Sequence, residues 1–228
     1  MQSRSAEERR AELVELYREA SACERCPLFK TRTKVVFGSG NADADLMFVG
    51  EAPGMHEDQQ GLPFVGRAGQ LLNKLLEEIG LAREDVFIAN VLQSRPPGNR
   101  DPQLDEIDAC RPFLHRKIEL IEPSVICTLG NFSTKLLTRS QRGITSVHGR
   151  PQVHELGGRL LRVYPLFHPA AALRSTKTLE ELREDFARLP ALLEEPPPVP
   201  IGAVAPVAVT SAAAASEAEA ETPPTLFD

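Results

Sequence analysis

Short apolar runs alternate with helical patterns along most of the chain. Residues 6–20 and 70–76 carry apolar side chains at helical spacing, and Gly80 ends the second pattern. Continuous apolar runs, which are typical of buried strands, occur at 44–50, 85–92, 123–130 and 159–169. Because these strands alternate with helices, we expect an α/β fold: a single three-layer α/β/α domain with a short, largely parallel central sheet.

The composition changes near the end of the sequence. From Glu194 the chain is rich in Pro and Ala and poor in large apolar side chains. Burial in such a segment cannot offset the entropy lost on ordering it. We therefore expect residues 1–195 to form the domain and residues 196–228 to form a disordered acidic tail.

Charge and hydropathy narrow the class of protein. The formal charge of the whole chain is −6. The segment after Glu195 contains four acidic residues and no Lys or Arg, so residues 1–195 carry a formal charge of −2. This balance argues against bulk electrostatic attachment to nucleic acid but allows a local basic face. No run of eighteen apolar residues occurs, and the charged N-terminal pattern is unlike a signal peptide. We expect a cytoplasmic monomer without membrane attachment.

Cysteine spacing indicates metal binding. Two of the four cysteines form Cys23-x-x-Cys26, which favours metal ligands over a secreted disulfide framework. A redox pair or half of a zinc site remains an alternative at this point. Cys127 lies inside a continuous apolar strand, and we interpret it as a small buried hydrophobe.

The most informative segment is the glycine-rich stretch 50–69, directly after a predicted strand. Ligands of open α/β sheets bind beyond the carboxyl ends of strands, so this loop lies where a site is expected. The sequence GEAPG at 50–54, the pattern EDxxGxPFVGxAG at 57–69, RPPGNRDP at 95–102 and HPAAALR at 168–174 follow in order. Together they resemble the family-4 uracil-DNA glycosylases of bacteria and archaea over roughly residues 20–190.

The resemblance implies a uracil-DNA glycosylase-like fold and activity. The enzyme would flip uracil out of DNA and hydrolyse its N-glycosidic bond, leaving an abasic site for base excision repair. Phe64 would be the aromatic platform, and the Asn90 amide would read the pyrimidine edge. The other implied uracil-binding residues are Gly50, Glu51, Ala52, Glu57 and His168, with Glu51 and His168 as the catalytic pair.

Three details of these roles are left open by the sequence. Ala52 occupies the position of a water-positioning aspartate in better-known uracil glycosylases, which makes Glu51 the acidic candidate. Glu57 would bind the base or brace the loop. His168 would face a uracil carbonyl oxygen as either a neutral or a charged imidazole. No motif places a lysine for lyase chemistry, so we expect a monofunctional hydrolase.

DNA contacts follow from the same resemblance. Leu173 or Arg174 would enter the space that the flipped base leaves. Phosphate contacts are expected from Arg95, Asn99 and Arg100, with Arg139, Arg142 and Arg150 as further candidates.

The resemblance also implies a 4Fe-4S cluster held by four cysteines. Cys23, Cys26 and Cys110 match, but Ser94 stands where the remaining cysteine is expected. A serine hydroxyl is far less acidic than a thiol, so the cluster is expected to be weaker or more labile. Three outcomes remain open. The Ser94 hydroxyl binds iron, an outside ligand or water takes the fourth position, or the protein holds a three-iron cluster or none. We expect its role to be structural, holding the N-terminal helix and the 94–110 loop beside the DNA-binding surface.

Two rival functions and one further partner complete the expectations. The rivals are a catalytically impaired sensor that binds uracil in DNA, and an iron-sulfur redox protein. The pocket residues argue against both, because neither function requires the full set. A Leu226-Phe227 pair near the end of the tail resembles peptides that dock on the bacterial sliding clamp.

Overall fold

The computed structural model describes residues 4–199. Its strands are β1 (Ser39–Gly40), β2 (Leu46–Gly50), β3 (Phe87–Asn90), β4 (Val125–Leu129), β5 (Gln152–Leu156) and β6 (Arg159–Leu166). Its helices are α1 (Ala6–Ser21), α2 (Met55–Gln60), α3 (Arg67–Glu78), α4 (Leu104–Ile121), α5 (Asn131–Thr138), α6 (Ile144–Val147), α7 (Pro169–Ala172), α8 (Thr176–Ala187) and α9 (Leu189–Glu194).

The strands form one six-stranded sheet in the order β1-β3-β2-β4-β6-β5. The four central strands are parallel, whereas the two edge strands β1 and β5 pair antiparallel. The prediction of a single α/β domain with a largely parallel sheet is confirmed. The two edge strands were not predicted, because they are short or only partly buried.

Both faces of the sheet carry a hydrophobic core. One core joins Phe48 and Cys127 to leucines of α3 and to α8 and α9. The other joins Met47 and Ile126 to α4 and to the 26–28 segment. Alternate residues of β2 and β4 therefore enter opposite cores, which is why these strands are apolar throughout. Cys127 is fully buried in β4, as the apolar pattern indicated.

Two predicted boundaries differ from the structure. The apolar run 159–169 was predicted as one strand, but β6 ends at Leu166 and His168 caps the N-terminus of α7. The reason is Pro169, which lacks an N–H and suits the first position of a helix. The run 85–92 contributes only Phe87–Asn90 to the sheet, because Arg83–Asp85 forms a 3-10 turn just before it.

Some expectations concern residues that lie outside the described range. These include the sliding-clamp pair Leu226-Phe227 and nearly all of the predicted tail. Within residues 4–199, no helix is both long enough and apolar enough to cross a membrane.

Candidate active site

The carboxyl ends of the four parallel strands lie at one edge of the sheet, and residues at or just after the ends of three of them line a pocket. Gly50 ends β2, Asn90 ends β3, Gly130 follows β4, and His168 follows β6. The cavity has a volume of about 360 Å³, and its walls include Glu51, Phe64, Asn90 and His168. This is the position at which open α/β sheets bind ligands.

Gly50 is the point at which the backbone, Phe64 and Asn90 come closest. A Cβ atom at Gly50 would lie 2.4 Å from Asn90 Oδ1 and 2.7 Å from Phe64 Cζ. Any side chain at this position would therefore displace both groups from the pocket wall. Gly50 is required because a side chain here would collide with both groups, and Gly50 itself is buried and is not among the residues that line the cavity.

The Asn90 side chain is buried, and its amide oxygen has no partner within the described residues. Only 2% of Asn90 is exposed, and Oδ1 has no hydrogen bond. A buried acceptor without a partner is unfavourable by about 1–3 kcal/mol. Asn90 lines the pocket, so a ligand that donates a hydrogen bond there would satisfy it.

Phe64 and His168 flank the pocket as ring walls. Their centroids are 5.7 Å apart with an angle of 29° between the planes. Phe64 has a φ of 52°, a left-handed conformation that is unfavourable for an aromatic residue. Such strain at a pocket wall is typical of a residue whose direction matters for function.

The structure determines the state of the His168 imidazole that the sequence left open. Burial lowers the pKa of His168 to about 4, against a smaller opposing effect of Glu57. The ring is therefore neutral at physiological pH. Nδ1 accepts a hydrogen bond from the Ala170 N–H at 3.0 Å, so the ring proton resides on Nε2. His168 is thus a neutral hydrogen-bond donor.

The two acidic residues near the pocket have different surroundings. Glu57 Oε1 accepts hydrogen bonds from the N–H groups of Val65 and Gly66, at 3.0 and 2.9 Å. Of the two alternatives for Glu57, the brace is the one with observed contacts. Burial raises the pKa of Glu51, and nearby Asp101 adds to the increase. Ala52 also lines the pocket, beside Glu51.

Arg83, which was not among the residues predicted from the sequence, fixes the loop that carries Phe64. Its guanidinium donates to the backbone carbonyl of Phe64 at 3.1 Å, to that of Pro63, and to Asn73 Oδ1 at 3.0 Å. Gly69 packs against the same loop, where a Cβ would lie 1.7 Å from the Phe64 carbonyl oxygen. No motif singled out Arg83, because its role depends on a fold contact with a loop nineteen positions away.

The residues predicted to contact DNA differ in whether they already have a hydrogen-bond partner within the protein. Arg95 Nε donates to Asn99 Oδ1 at 2.7 Å, and Asn99 lines the pocket. Arg100 also lines the pocket, but its guanidinium forms a two-pronged pair with buried Glu106, with N–O distances of 2.9 and 2.5 Å. Arg100 therefore has a structural partner that the sequence did not predict. Leu173 and Arg174 are both exposed just after α7.

The four residues predicted to hold the cluster form the cysteine region. Cys23 and Cys26 follow α1, Ser94 follows β3, and Cys110 lies in α4. Burial raises the pKa values of the Cys26 and Cys110 thiols, and the neighbouring thiols add to both increases. The Gln93 backbone opposes the increase at Cys110, which places the chain next to Ser94 against that thiol. Ser94 itself is buried. Among residues 4–199, no group of three or more His, Cys, Asp or Glu side chains is arranged to hold a metal ion.

These residues define a class of protein: an α/β domain with a pocket at the carboxyl ends of its parallel strands, lined by aromatic rings and by hydrogen-bonding side chains. Comparison with known proteins gives the family. The model of the uracil DNA glycosylase superfamily matches residues 37–189, and the chain belongs to that superfamily.

Several curated relatives are similar over most of their length. The type-4 uracil-DNA glycosylase of Saccharolobus solfataricus is 46% identical over 184 residues, which cover 78% of this chain and 85% of the relative. That of Thermotoga maritima is 48% identical over 168 residues, or 73% and 86% of the two chains. A type-5 uracil-DNA glycosylase of Pyrobaculum aerophilum is 29% identical over 65% of this chain and 72% of its own.

Proposed function

We propose that the protein is a monofunctional uracil-DNA glycosylase that acts on uracil flipped out of DNA. The observation that carries the proposal is the buried Asn90 amide oxygen without a partner, which lines a pocket walled by Phe64 and a neutral His168. The membership of the chain in the superfamily and the names of its type-4 relatives support the same function.

Uracil is recognised by three groups on two residues: the Phe64 ring, and the oxygen and the NH₂ of the Asn90 amide. Phe64 offers a face for stacking, which any base can use and which therefore contributes affinity rather than selectivity. Asn90 Oδ1 accepts from the uracil N3–H, and the amide NH₂ donates to a neighbouring carbonyl oxygen. Cytosine has no N3–H, so it would leave the amide oxygen unsatisfied, and such mismatches give strong discrimination.

The reaction breaks the bond between uracil N1 and C1′ of the deoxyribose. The bonding electron pair leaves with uracil, and negative charge spreads to its carbonyl oxygens. The Nε2–H of His168 donates to one of these oxygens, an interaction that strengthens as the charge develops. Water then attacks C1′ and loses a proton to Glu51, whose raised pKa makes it a better acceptor than an ordinary carboxylate.

In the DNA outside the pocket, Leu173 fills the space in the base stack that the flipped uracil leaves. It is 40% exposed, and Ala170 three residues earlier lines the pocket. Arg174 follows directly and is exposed for a backbone contact. Arg95 and Asn99 remain proposed contacts beside the pocket, and Arg100 would need to share its guanidinium with Glu106.

Three cysteines match ligand positions of the 4Fe-4S cluster that the family resemblance implies, although their side chains in this structure are not grouped to hold a metal ion. Cys23, Cys26 and Cys110 would hold iron through thiolates, and Ser94 would offer only an oxygen donor at the fourth position. In addition to the effect of burial, Cys23 lies close enough to raise the pKa values of Cys26 and Cys110, and Cys26 also raises that of Cys110. When bound, such a group would tie α1 to α4 behind the loop that carries Arg95 and Asn99.

The direct test uses a labelled oligonucleotide with a single uracil, in single-stranded and duplex form. Alkali-dependent cleavage at the uracil position, with none in matched oligonucleotides carrying thymine or cytosine there, is the expected result. Cleavage without alkali would show lyase chemistry instead. Tight binding of the uracil oligonucleotide without any release of the base would favour the sensor function.

A further inference from the structure

A track of uncharged and basic side chains runs along the exposed face of α3 beside the pocket. Arg67, Gln70 and Lys74 are exposed and follow one another at spacings of three and four residues. Residues at these spacings share one helix face, and the track is about 10 Å long. Together with Leu71 and Leu173 they line a hollow of about 130 Å³.

The track begins at the rim of the active site. Arg67 directly precedes Ala68, which lines the uracil pocket, and Leu173 lies three residues after Ala170, which also lines it. The DNA strand that delivers a flipped nucleotide into the pocket must cross this rim. The exposed face of α3 borders this rim at Ala68.

The charges on this face are available to a ligand. Among residues 4–199, no ion pair involves Arg67 or Lys74, whereas Arg183 and Arg100 are each held by a glutamate. Arginine and lysine are the main phosphate ligands, and glutamine donates to phosphate oxygens through its amide. Since residues 1–195 carry a formal charge of only −2, affinity for DNA must come from local features of this kind.

We propose that Arg67, Gln70 and Lys74 form a phosphate-binding track for the uracil-containing strand, with Leu173 at its edge. The proposal rests on the glycosylase function for the identity of the strand, but contact with the DNA backbone does not depend on base release. The track would hold the strand in register while Leu173 occupies the vacated stack.

The test compares Arg67→Gln/Lys74→Gln with Arg10→Gln/Arg18→Gln. The control variant removes the same number of positive charges from α1, which packs against α4 on the other side of the sheet. Fluorescence anisotropy with undamaged oligonucleotides, at several salt concentrations, measures backbone binding alone. The track variant should bind about tenfold more weakly near 0.1 M salt, with the salt slope reduced by about 1.8 for duplex and about 1.4 for single strands. The control should change affinity less than about twofold.

A variant that gains a positive charge tests whether weaker DNA binding by the track variant comes from misfolding. Gln70→Lys adds a cation to the middle of the track and should tighten binding and steepen the salt slope by about one. Equal behaviour of the track and control variants, or no gain with Gln70→Lys, would overturn the proposal.

The strand assignment is tested with uracil substrates. If the track holds the uracil-containing strand, the KM of the track variant rises for single-stranded as well as duplex substrate. A rise for duplex substrate alone would overturn the assignment to this strand. Wild-type protein that releases no uracil, while the track variants still change binding of undamaged DNA, would reject the glycosylase function and leave the track in place.

Discussion

At the scale of single residues, the pocket depends on hydrogen-bonding states rather than on charge. Asn90 presents an acceptor without a partner, and His168 presents a neutral Nε2–H because burial lowers its pKa to about 4. A neutral donor avoids the cost of burying a cation in the absence of substrate. It still stabilises negative charge as that charge forms on the leaving base.

The pH profile should reveal which group titrates in the active range. The pKa of Glu51 is raised above its ordinary 4.5, whereas that of His168 is lowered to about 4. As pH falls, Glu51 therefore gains its proton first and activity is lost, while His168 stays neutral. We expect kcat/KM to fall on the acid side, with a limb centred above 4.5 that follows the raised pKa of Glu51. An acid limb centred below 4.5 would contradict the assignment of this limb to Glu51.

The residue types of the site were predictable from the sequence because they lie in glycine-rich or proline-flanked motifs. Phe64, Asn90 and His168 were each named, and the structure brings them to one pocket. The state of His168 was not predictable, since it depends on burial and on the Ala170 N–H. The structural pairing of Arg100 was also not predictable, because Glu106 becomes buried only when α4 packs.

At the scale of elements, Arg83 and Glu57 of α2 hold the loop that carries Phe64. The guanidinium bonds to two backbone carbonyls of this loop, and Glu57 bonds to two of its N–H groups. Both contacts come from outside the loop and fix Phe64 at a positive φ. Order in this loop should therefore be sensitive to residues that never touch the substrate.

Removal of the Arg83 guanidinium should reduce activity through the position of Phe64. We expect Arg83→Met to lose about 1.5–3 kcal/mol of stability, as is usual for hydrogen bonds from a charged donor. KM should rise more than kcat falls, because stacking on Phe64 serves binding of the flipped base. Arg83→Lys should recover part of the loss. Arg183→Met, at an exposed pair with Glu78, is the matched control and should leave both constants within about twofold.

The parallel strands were predicted at this scale, but their ends were not. Continuous apolar runs identify strands that are buried on both faces, yet they do not show where pairing stops. Leu92 is buried beyond the end of β3, and Phe167 is buried beyond the end of β6. The edge strands lack such runs, and β5 alternates between partly buried and exposed residues.

At the scale of the whole molecule, the sheet separates two tasks. The carboxyl ends of the parallel strands hold the pocket, while α1 and α4 lie with the cysteine region on one face. The link between these regions is the segment that runs from Asn90 through Ser94 to the Arg100–Glu106 pair. A cluster bound to Cys23, Cys26 and Cys110 would therefore stabilise the segment between Asn90 and Glu106 on the side away from the pocket.

Restoring a thiol at position 94 tests this view without reference to activity. We expect Ser94→Cys to retain more iron and sulfide per chain after purification than the wild-type protein. Loss of iron to a chelator should be at least about tenfold slower, and thermal unfolding should occur at a higher temperature. Ser140→Cys adds a thiol in the loop after α5 and is the control. Equal iron content and equal release rates in wild-type and Ser94→Cys proteins would remove Ser94 from the proposed ligand set.

The most direct test of the central claim is the single-turnover rate of uracil release by wild-type, Asn90→Ala and His168→Ala proteins. Asn90→Ala removes two hydrogen bonds to the base and His168→Ala removes one, so each rate should fall by at least about 10²–10³-fold. Asn41→Ala, in an exposed turn after β1, is the control and should retain the wild-type rate. Wild-type rates in both pocket variants would contradict recognition of uracil by this pocket.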